Sequence, residues 1–431
     1  MFEVLCKRTE NMFVKSAQRI VWETGFRNRP SEEIIVRSFM VVWDNDNREL
    51  PENKGLEEML LGAFYWFHEH PELAYEEVET TRKIRELLIG AGIEILPYEL
   101  ETGLVAAIRG EKQGSVQALR CDIDALPVTE ETSLPYCSKE PGKMHACGHD
   151  MHTTAGLGCA MMLQRNKDRL TGTVKIIFQP AEESALGALK ILETDVMQDV
   201  ERIWGFHADP TNASGVIGIR EGYVAAAVDR FVIHIHGIGC HGAHPEDGID
   251  PILTASAVVQ SLQSIVSRNI DPFHPALLSV TNFHAGTTWN VIPPEAVLEG
   301  TVRTMDREDR MLYEKRLKEV VKNTAEAYGA SADIEWISGS PAVYNDSGMA
   351  DICERVAKRM GFQVVEEKSS MGGDDFAFYE EQKKKIPGCY VKIGTGVGHP
   401  IHHPGFAVKP EVIYPAAKYL AALMLEESLQ Q

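Results

Sequence analysis

The sequence lacks the features that announce several protein classes. Its eight cysteines, Cys6, Cys121, Cys137, Cys147, Cys159, Cys240, Cys353 and Cys389, are dispersed and form no C-x-x-C pair. That excludes a dense disulfide framework and favours a reducing compartment. No apolar run approaches the ~18 residues of a membrane span. The start, Met1-Phe2-Glu3-Val4, lacks the basic-then-apolar order of a signal peptide, and its acidic residues speak against a transit peptide. A cytoplasmic protein is therefore expected. Positive charge is scarce too: 43 Lys and Arg against 63 Asp and Glu leave a net charge of -20. Nucleic acid and anionic membrane surfaces repel such a chain and are not expected as partners.

What remains is an ordinary globular composition on 431 residues, more than one hydrophobic core usually serves, so two domains are expected. The first 55 residues mix short apolar runs such as Glu33-Ile34-Ile35-Val36 with a polar stretch over 44–55, and read as an N-terminal extension on a flexible connection. Helical spacing runs from Leu56 to about His68 and from Glu76 to Leu88, with Gly90 and Gly92 as stops. Short β-like runs follow at 93–96, 104–108 and 116–121, then a helix from His152 to Gln164. The run Val174 to Phe178 is apolar on both faces, as a covered strand should be, and Arg202 to Phe206 resembles it. Strands alternating with helices predict an α/β layer architecture.

Between Val228 and Ser338 the rhythm changes to a half-buried strand with alternating polarity at 231–236, a helix at 251–266, strands at 277–283 and 296–304, a helix at 309–328 and a strand at 332–337. That order is βαββαβ, the split unit of ferredoxin-like domains. The α/β pattern resumes afterwards. The expected architecture is a discontinuous α/β catalytic domain over 56–226 and 340–431, carrying an inserted ferredoxin-like domain over 227–339. A cleft between the two is a natural ligand site.

Four stretches concentrate metal-binding chemistry. His145-Ala146-Cys147-Gly148-His149-Asp150-Met151-His152 packs a thiol, three imidazoles and a carboxylate into one segment, with Gly148 permitting an unusual turn. Glu182 and Glu183 sit side by side after an apparent strand, where ligands collect in open α/β sheets; adjacent carboxylates repel unless something cationic faces them. His207 ends another strand, and His399, His402 and His403 lie on a loop bracketed by glycine and proline. Jointly these supply enough ligands for two adjacent metal ions, with Cys147 a bridging candidate. His234 and His236 share a strand face, but Val232 shares it too and no third ligand is near in sequence, so they read as strand residues.

As a set, His145-Ala-Cys147-Gly-His149-Asp150, Pro180-Ala-Glu182-Glu183, Gly205-Phe-His207 and Ile401-His402-His403-Pro404-Gly-Phe406 resemble the aminoacylase and carboxypeptidase family of two-metal metallopeptidases, in its amidohydrolase branch. That branch holds N-acyl-amino-acid amidohydrolases, hippurate hydrolases and indoleacetyl-amino-acid hydrolases. Supporting matches are Arg120-Cys-Asp122-Ile-Asp124-Ala-Leu126-Pro127, His241-Gly-Ala243-His-Pro245, Asn290-Val-Ile292-Pro293 and Gly300-Thr-Val-Arg303. The resemblance covers roughly Leu56 to the C-terminus. It departs at Cys121, where alanine is usual, at Asp374-Asp375-Phe376 in place of Glu-Asp-Phe, and at Ser184, where glycine is common.

The resemblance implies Cys147, His149, Glu183, His207 and His402 as metal ligands, with His403 the runner-up to His402, and Glu182 as general base. Cys147 would bridge, Glu183 and His402 completing one site and His149 and His207 the other. It also implies His241, Asn290 and, less directly, Arg303 at the substrate, and a homodimer formed through the inserted domain. The expected reaction is hydrolysis of a small N-acyl amino acid to a carboxylic acid and an amino acid. The cofactors would be two divalent ions, zinc or manganese, with cobalt and nickel also tolerated by such ligands. A dipeptidase or carboxypeptidase on the same scaffold is the alternative, and a non-catalytic metal-binding homologue the next; Glu182 beside a full ligand set argues against the latter. A zinc deaminase would need a Pro-Cys-x-x-Cys element, which is missing.

Overall fold

The computed structural model describes residues 50–381 and 385–428. Most of the expected N-terminal extension therefore lies outside the described residues. The part that is described, from Leu50, is held in place: Leu50 is buried, the Asn53 side chain accepts from Leu56 N at 2.9 Å, and Asn53 N donates to Tyr414 Oη. Helix α1 (Lys54–Glu69) starts from that cap and buries Leu56, Leu60, Phe64 and Phe67; α2 (Val78–Gly90) follows.

The next strands are β1 (Glu94–Ile95), β2 (Leu104–Arg109) and β3 (Lys112–Asp122), then α3 (His149–Arg165) and β4 (Thr171–Gln179). Helix α4 (Gly187–Leu192), β5 (Val200–Asp209), β6 (Val216–Ile219) and β7 (Gly222–Ala225) complete the first segment. The chain then forms β8 (Ala227–His236), β9 (Cys240–His241), α5 (Pro251–Arg268), β10 (Ala276–Ala285), β11 (Val291–Ile292), β12 (Glu295–Thr304), α6 (Arg307–Ala327) and β13 (Ser331–Ser338). It closes with β14 (Val343–Asn345), α7 (Ser347–Arg359), β15 (Gln363–Glu366), α8 (Ala377–Glu380), β16 (Gly388–Gly394) and α9 (Ile413–Ser428).

Two sheets carry the structure. The larger has strand order β1-β2-β4-β3-β5-β16-β6-β15, with β4, β3, β5 and β16 mutually parallel. Its central strands are buried on both sides, which is why they read as continuous apolar runs. The smaller, β10-β12-β8-β13, is wholly antiparallel. There β12 alternates buried and less buried residues along its length, one face packing on α5 and α6 and the other facing water. The observed order β8-α5-β10-β12-α6-β13 is the inserted βαββαβ unit, and the fold is a discontinuous α/β domain that contains it.

Helix α3 is buried on every side, from His149 to Leu163. It begins three residues before the expected His152 because Gly148 takes φ +91, a left-handed conformation that turns the chain directly into the helix. A Cβ at Gly148 would lie 2.6 Å from Ala208 Cβ. Gly156 makes room in turn for the Cys121 side chain, since a Cβ there would sit 2.5 Å from Cys121 Sγ. The bulkier residue at position 121 is thus accommodated within the helix–sheet contact.

The parallel strands end along one edge, with Asp122, Gln179 and Asp209 together. This edge, outside the carboxyl ends of the strands, is where the sheet presents ligand-binding side chains. A cleft of about 740 Å³ does lie beside the inserted unit, lined among others by Tyr223, Arg307, Trp336, Tyr344 and Glu380. It holds none of the expected ligands, which converge elsewhere. No described helix is long and apolar enough to cross a membrane.

Candidate metal centre

At the strand edge, five side chains from four separated stretches meet. Cys147 precedes α3 and His149 opens it; His207 comes from β5, Glu183 from the 3-10 turn Glu182–Ser184 that follows β4, and His402 from the loop after β16. Their ligand atoms fall into two groups, Cys147 with His149 and His207, and Cys147 with Glu183 and His402, the atoms of each group lying within 4.8 Å of one another. Cys147 belongs to both.

Local structure aims each ring. His149 Nδ1 donates to the Asp124 carbonyl at 2.9 Å, which leaves Nε2 as the nitrogen that could ligate a cation. His207 Nδ1 donates to Ala208 O at 2.7 Å, and its Nε2 is 3.3 Å from Cys147 Sγ. His402 takes φ +66 and its N–H bonds to Ala146 O at 2.7 Å, tying that loop to the Cys147 segment; its Nε2 is 3.3 Å from Glu183 Oε1. His403 faces another way: its Nδ1 accepts from Gly405 N, and its ring stacks on His399 with centroids 4.2 Å apart.

The glutamate pair is held from behind. Ala181, at φ +55, donates its N–H to buried Glu77 Oε1 at 2.8 Å, and Glu183 N donates to Asp124 Oδ2 at 3.0 Å. Burial pushes the Glu77 carboxyl up to about 7. Glu182 projects between two neighbourhoods, one with His149 and Glu183 and one with Asp374 and Asp375. Its carboxyl group is enclosed although the residue is exposed in part; burial, then the Asp374 and Asp375 charges, push its pKa well above the usual carboxylate range.

The donor set fits divalent cations. His149 Nε2 and Glu183 Oε1 are buried without a hydrogen-bond partner, an arrangement that costs stability unless something binds there. Burial pushes the Cys147 thiol up, and burial with the nearby Lys392 charge holds His207 well below its usual pKa, so His207 is a neutral imidazole. Burial opposes a charge on His149, but Asp122 and Cys147 raise its pKa. A soft thiol, three imidazoles and a carboxylate match zinc and its neighbours, with cation binding deprotonating the thiol.

The other expected residues lie in the inserted unit. His241 on β9 pairs with Val291, and Gly242 N donates to Asn290 O at 2.8 Å, so His241 and Asn290 share a small two-stranded ladder. His241 is exposed, and its Nδ1 accepts from Ala243 N at 3.0 Å. Arg303 sits on β12 opposite Val228 and Leu277. No described hydrogen bond or ion pair joins these three to the Cys147 cluster. Asp122, Asp124, His152 and Asp375 brace these side chains; the sequence motifs contain all four, but nothing in the sequence assigned them that role.

Such an edge site, with two ligand groups sharing one thiol and a carboxylate beside them, defines a candidate two-cation hydrolytic centre. The family model described as peptidase family M20/M25/M40 matches residues 118–426. An N-acetylcysteine deacetylase of Bacillus subtilis is 47% identical over 357 residues, 83% of this chain and 93% of that protein. A thermostable carboxypeptidase of Saccharolobus solfataricus is 36% identical over 393 residues, 89% of this chain and 98% of its own. Among solved structures, a Bacillus subtilis protein described as a dinuclear metal binding peptidase from the M20 family superposes with a TM-score of 0.79 at 42% identity, over 87% of this chain and 99% of that one. The chain belongs to peptidase family M20/M25/M40, and so is a hydrolase acting on amide bonds.

Proposed function

We propose that the protein is a metal-dependent amidohydrolase that cleaves an N-acyl amino acid to a carboxylic acid and a free amino acid. One observation carries the reading: two ligand groups meet at Cys147 with Glu182, which neither group requires, next to them. Cys147, His149 and His207 would hold one cation and Cys147, Glu183 and His402 the other; zinc matches these donors best, with manganese the second candidate. Bound there, the cations supply Lewis acidity that acidifies water and polarises the amide carbonyl.

The chain's own residues do the rest. The Glu182 carboxylate takes the proton from the attacking water and delivers it to the leaving amine nitrogen, so it must neighbour the ligands without being one. His241, with Nδ1 accepting from Ala243 N, keeps its proton on Nε2 and can donate it to the developing oxyanion. Asn290 beside it and Arg303 are the further substrate contacts of this reading. We place the catalytic domain at 56–226 and 340–431 and the inserted domain at 227–339, with a homodimer formed through the latter. The exposure of Phe273 and Trp289, each more than nine-tenths open, supports that dimer.

The alternative is a dipeptidase or carboxypeptidase, favoured by the 36% identity to a thermostable carboxypeptidase. The test is hydrolysis by the metal-reconstituted protein of acetyl, benzoyl and indoleacetyl amino acids alongside dipeptides. Release of amino acid from the N-acyl compounds is expected; turnover of dipeptides alone would replace the proposal with the alternative.

A further inference from the structure

The geometry points to Arg120 as a positioning residue that ties the two halves of the metal centre into one hydrogen-bonded unit, an inference that rests on the two-cation reading above. Arg120 is fully buried on β3. Its Nε donates to Gln179 Oε1 at 2.9 Å, its Nη1 to Asp122 Oδ2 at 2.5 Å and its Nη2 to Asp375 Oδ1 at 2.6 Å, with Asp374 Oδ1 3.2 Å from Nη2. A buried guanidinium is costly unless it meets counter-charge and its donors find acceptors, and here three carboxylates and an amide supply both.

One arm of this hub reaches the His149 and His207 half. The other oxygen of Asp122 accepts from His152 Nδ1, His152 Nε2 accepts from Ala208 N at 2.8 Å, and Ala208 O accepts from His207 Nδ1. That relay sets the tautomers of both rings and leaves His207 Nε2 against Cys147. Asp122 Oδ2 is also 3.6 Å from His149 Nε2. The second arm reaches the Glu183 half. Gln179 is the last residue of β4, three positions before Glu182, and its Nε2 donates to both oxygens of Asp375 at 2.9 Å. Asp375 Oδ2 accepts from Ala188 N at 2.8 Å, closing the far end of the loop that carries the two glutamates.

An apolar side chain of similar volume could fill the space that Arg120 occupies. Only a planar fork of donors fixes the ends of β3 and β4 and the Asp374–Asp375 segment at set separations, and an ammonium group cannot reach all of them at once. The feature at stake is therefore ligand placement, to which metal affinity is sensitive.

The test uses the full chain, stripped with a chelator and titrated calorimetrically with Zn²⁺ and with Mn²⁺, with thermal unfolding followed in parallel. Wild type should take up two cations. Arg120→Lys should weaken both by about 10–100-fold, the range typical of ligand-orienting groups. Asp122→Asn and Gln179→Met, which break one arm each, should each weaken chiefly one cation. A purely structural Arg120 would lower the melting temperature and leave cation affinity unchanged; affinities within twofold of wild type in folded Arg120→Lys would overturn the inference. If Arg120→Lys does not fold, the other two variants decide by the same criterion. If wild type takes up fewer than two cations, the two-cation reading itself fails, an outcome distinct from normal uptake by wild type and variants alike.

Discussion

Two regions gather histidines beside carboxylates, and they differ in what surrounds them. At the edge of the large sheet, His149 and His207 are buried, each with Nδ1 committed to a carbonyl and Nε2 turned toward Cys147. On the open face of the small sheet, His234 bonds Glu295 at 2.9 Å and His236 bonds Asp333 at 3.0 Å, with both imidazoles more than two-fifths exposed. Carboxylates neighbour both clusters, so residue count does not separate them. Burial and fixed tautomers do. The first site leaves the candidate ligand atoms His149 Nε2 and Glu183 Oε1 without partners, whereas the second pairs its exposed polar groups with one another.

The contrast breaks most visibly at Glu182. Glu182→Ala is expected to lower kcat by ~10²–10⁴ while two cations stay bound, because the proposed role of the residue is to move a proton and not to hold an ion. Steady-state kinetics with metal analysis of the same sample checks this, and normal turnover would remove Glu182 from its role. Cys147→Ser should act on the other quantity. Since Cys147 belongs to both ligand groups, its loss should reduce the affinity of both cations by more than the roughly 10–100-fold of an outer-shell change. Retention of two equivalents after dialysis would show that the thiol does not bridge.

How far these residues could be read in advance depends on the range of the interaction. The βαββαβ insertion was legible because alternation along β8 and β12 and helical spacing along α5 are local patterns. The candidate ligands could be named because the motifs that carry the resemblance place thiol, imidazole and carboxylate residues in short recognisable runs. Their supports could not. Arg120 meets Asp375 across 255 positions and Asp122 meets His152 across 30, and neither contact leaves a periodic trace. The strands β6, β7, β14 and β15 are three or four residues long, too short for alternation to register. Asp374 and Asp375 looked like a departure from a motif; in the fold they neutralise Arg120. The carboxylates beside His234 and His236 were likewise hidden, since Glu295 and Asp333 reach that face only through strand pairing.

A smaller effect, on stability and not on turnover, is expected one layer behind the centre. Burial opposes a charge on His68, but hydrogen bonds to Asp150 at 2.6 Å and Glu130 at 3.3 Å outweigh it and raise its pKa from 6.5 to about 10. A raised folded-state pKa means the pair stabilises fully below about pH 6.5 and loses that contribution as pH climbs through 10. Asp150 is held below its usual range despite burial, so its share is present above pH 3.8 and fades in more acidic solution. The stability gap between wild type and His68→Gln, measured by denaturant unfolding of metal-stripped protein, should be widest near pH 5–6 and shrink toward pH 10. A gap independent of pH would mean that the contact is not ionic.

The least effect belongs to the open-face histidines, and its smallness is the sharpest check on the comparison. If two imidazoles and two carboxylates were enough to bind a cation, His234→Gln with His236→Gln would lower the number of ions bound. Burial and preset tautomers are the stated requirement, and His234 and His236 have neither. The double variant should therefore keep the metal stoichiometry and turnover of wild type. Its stability should change by no more than ~1 kcal/mol, the upper end for exposed ion pairs. A variant of Glu295 should behave in the same way, since it bonds His234 and approaches His236 from the adjacent strand. Loss of a bound ion from either would place a metal site on the small sheet and show that strand pairing alone, without enclosure, can assemble one.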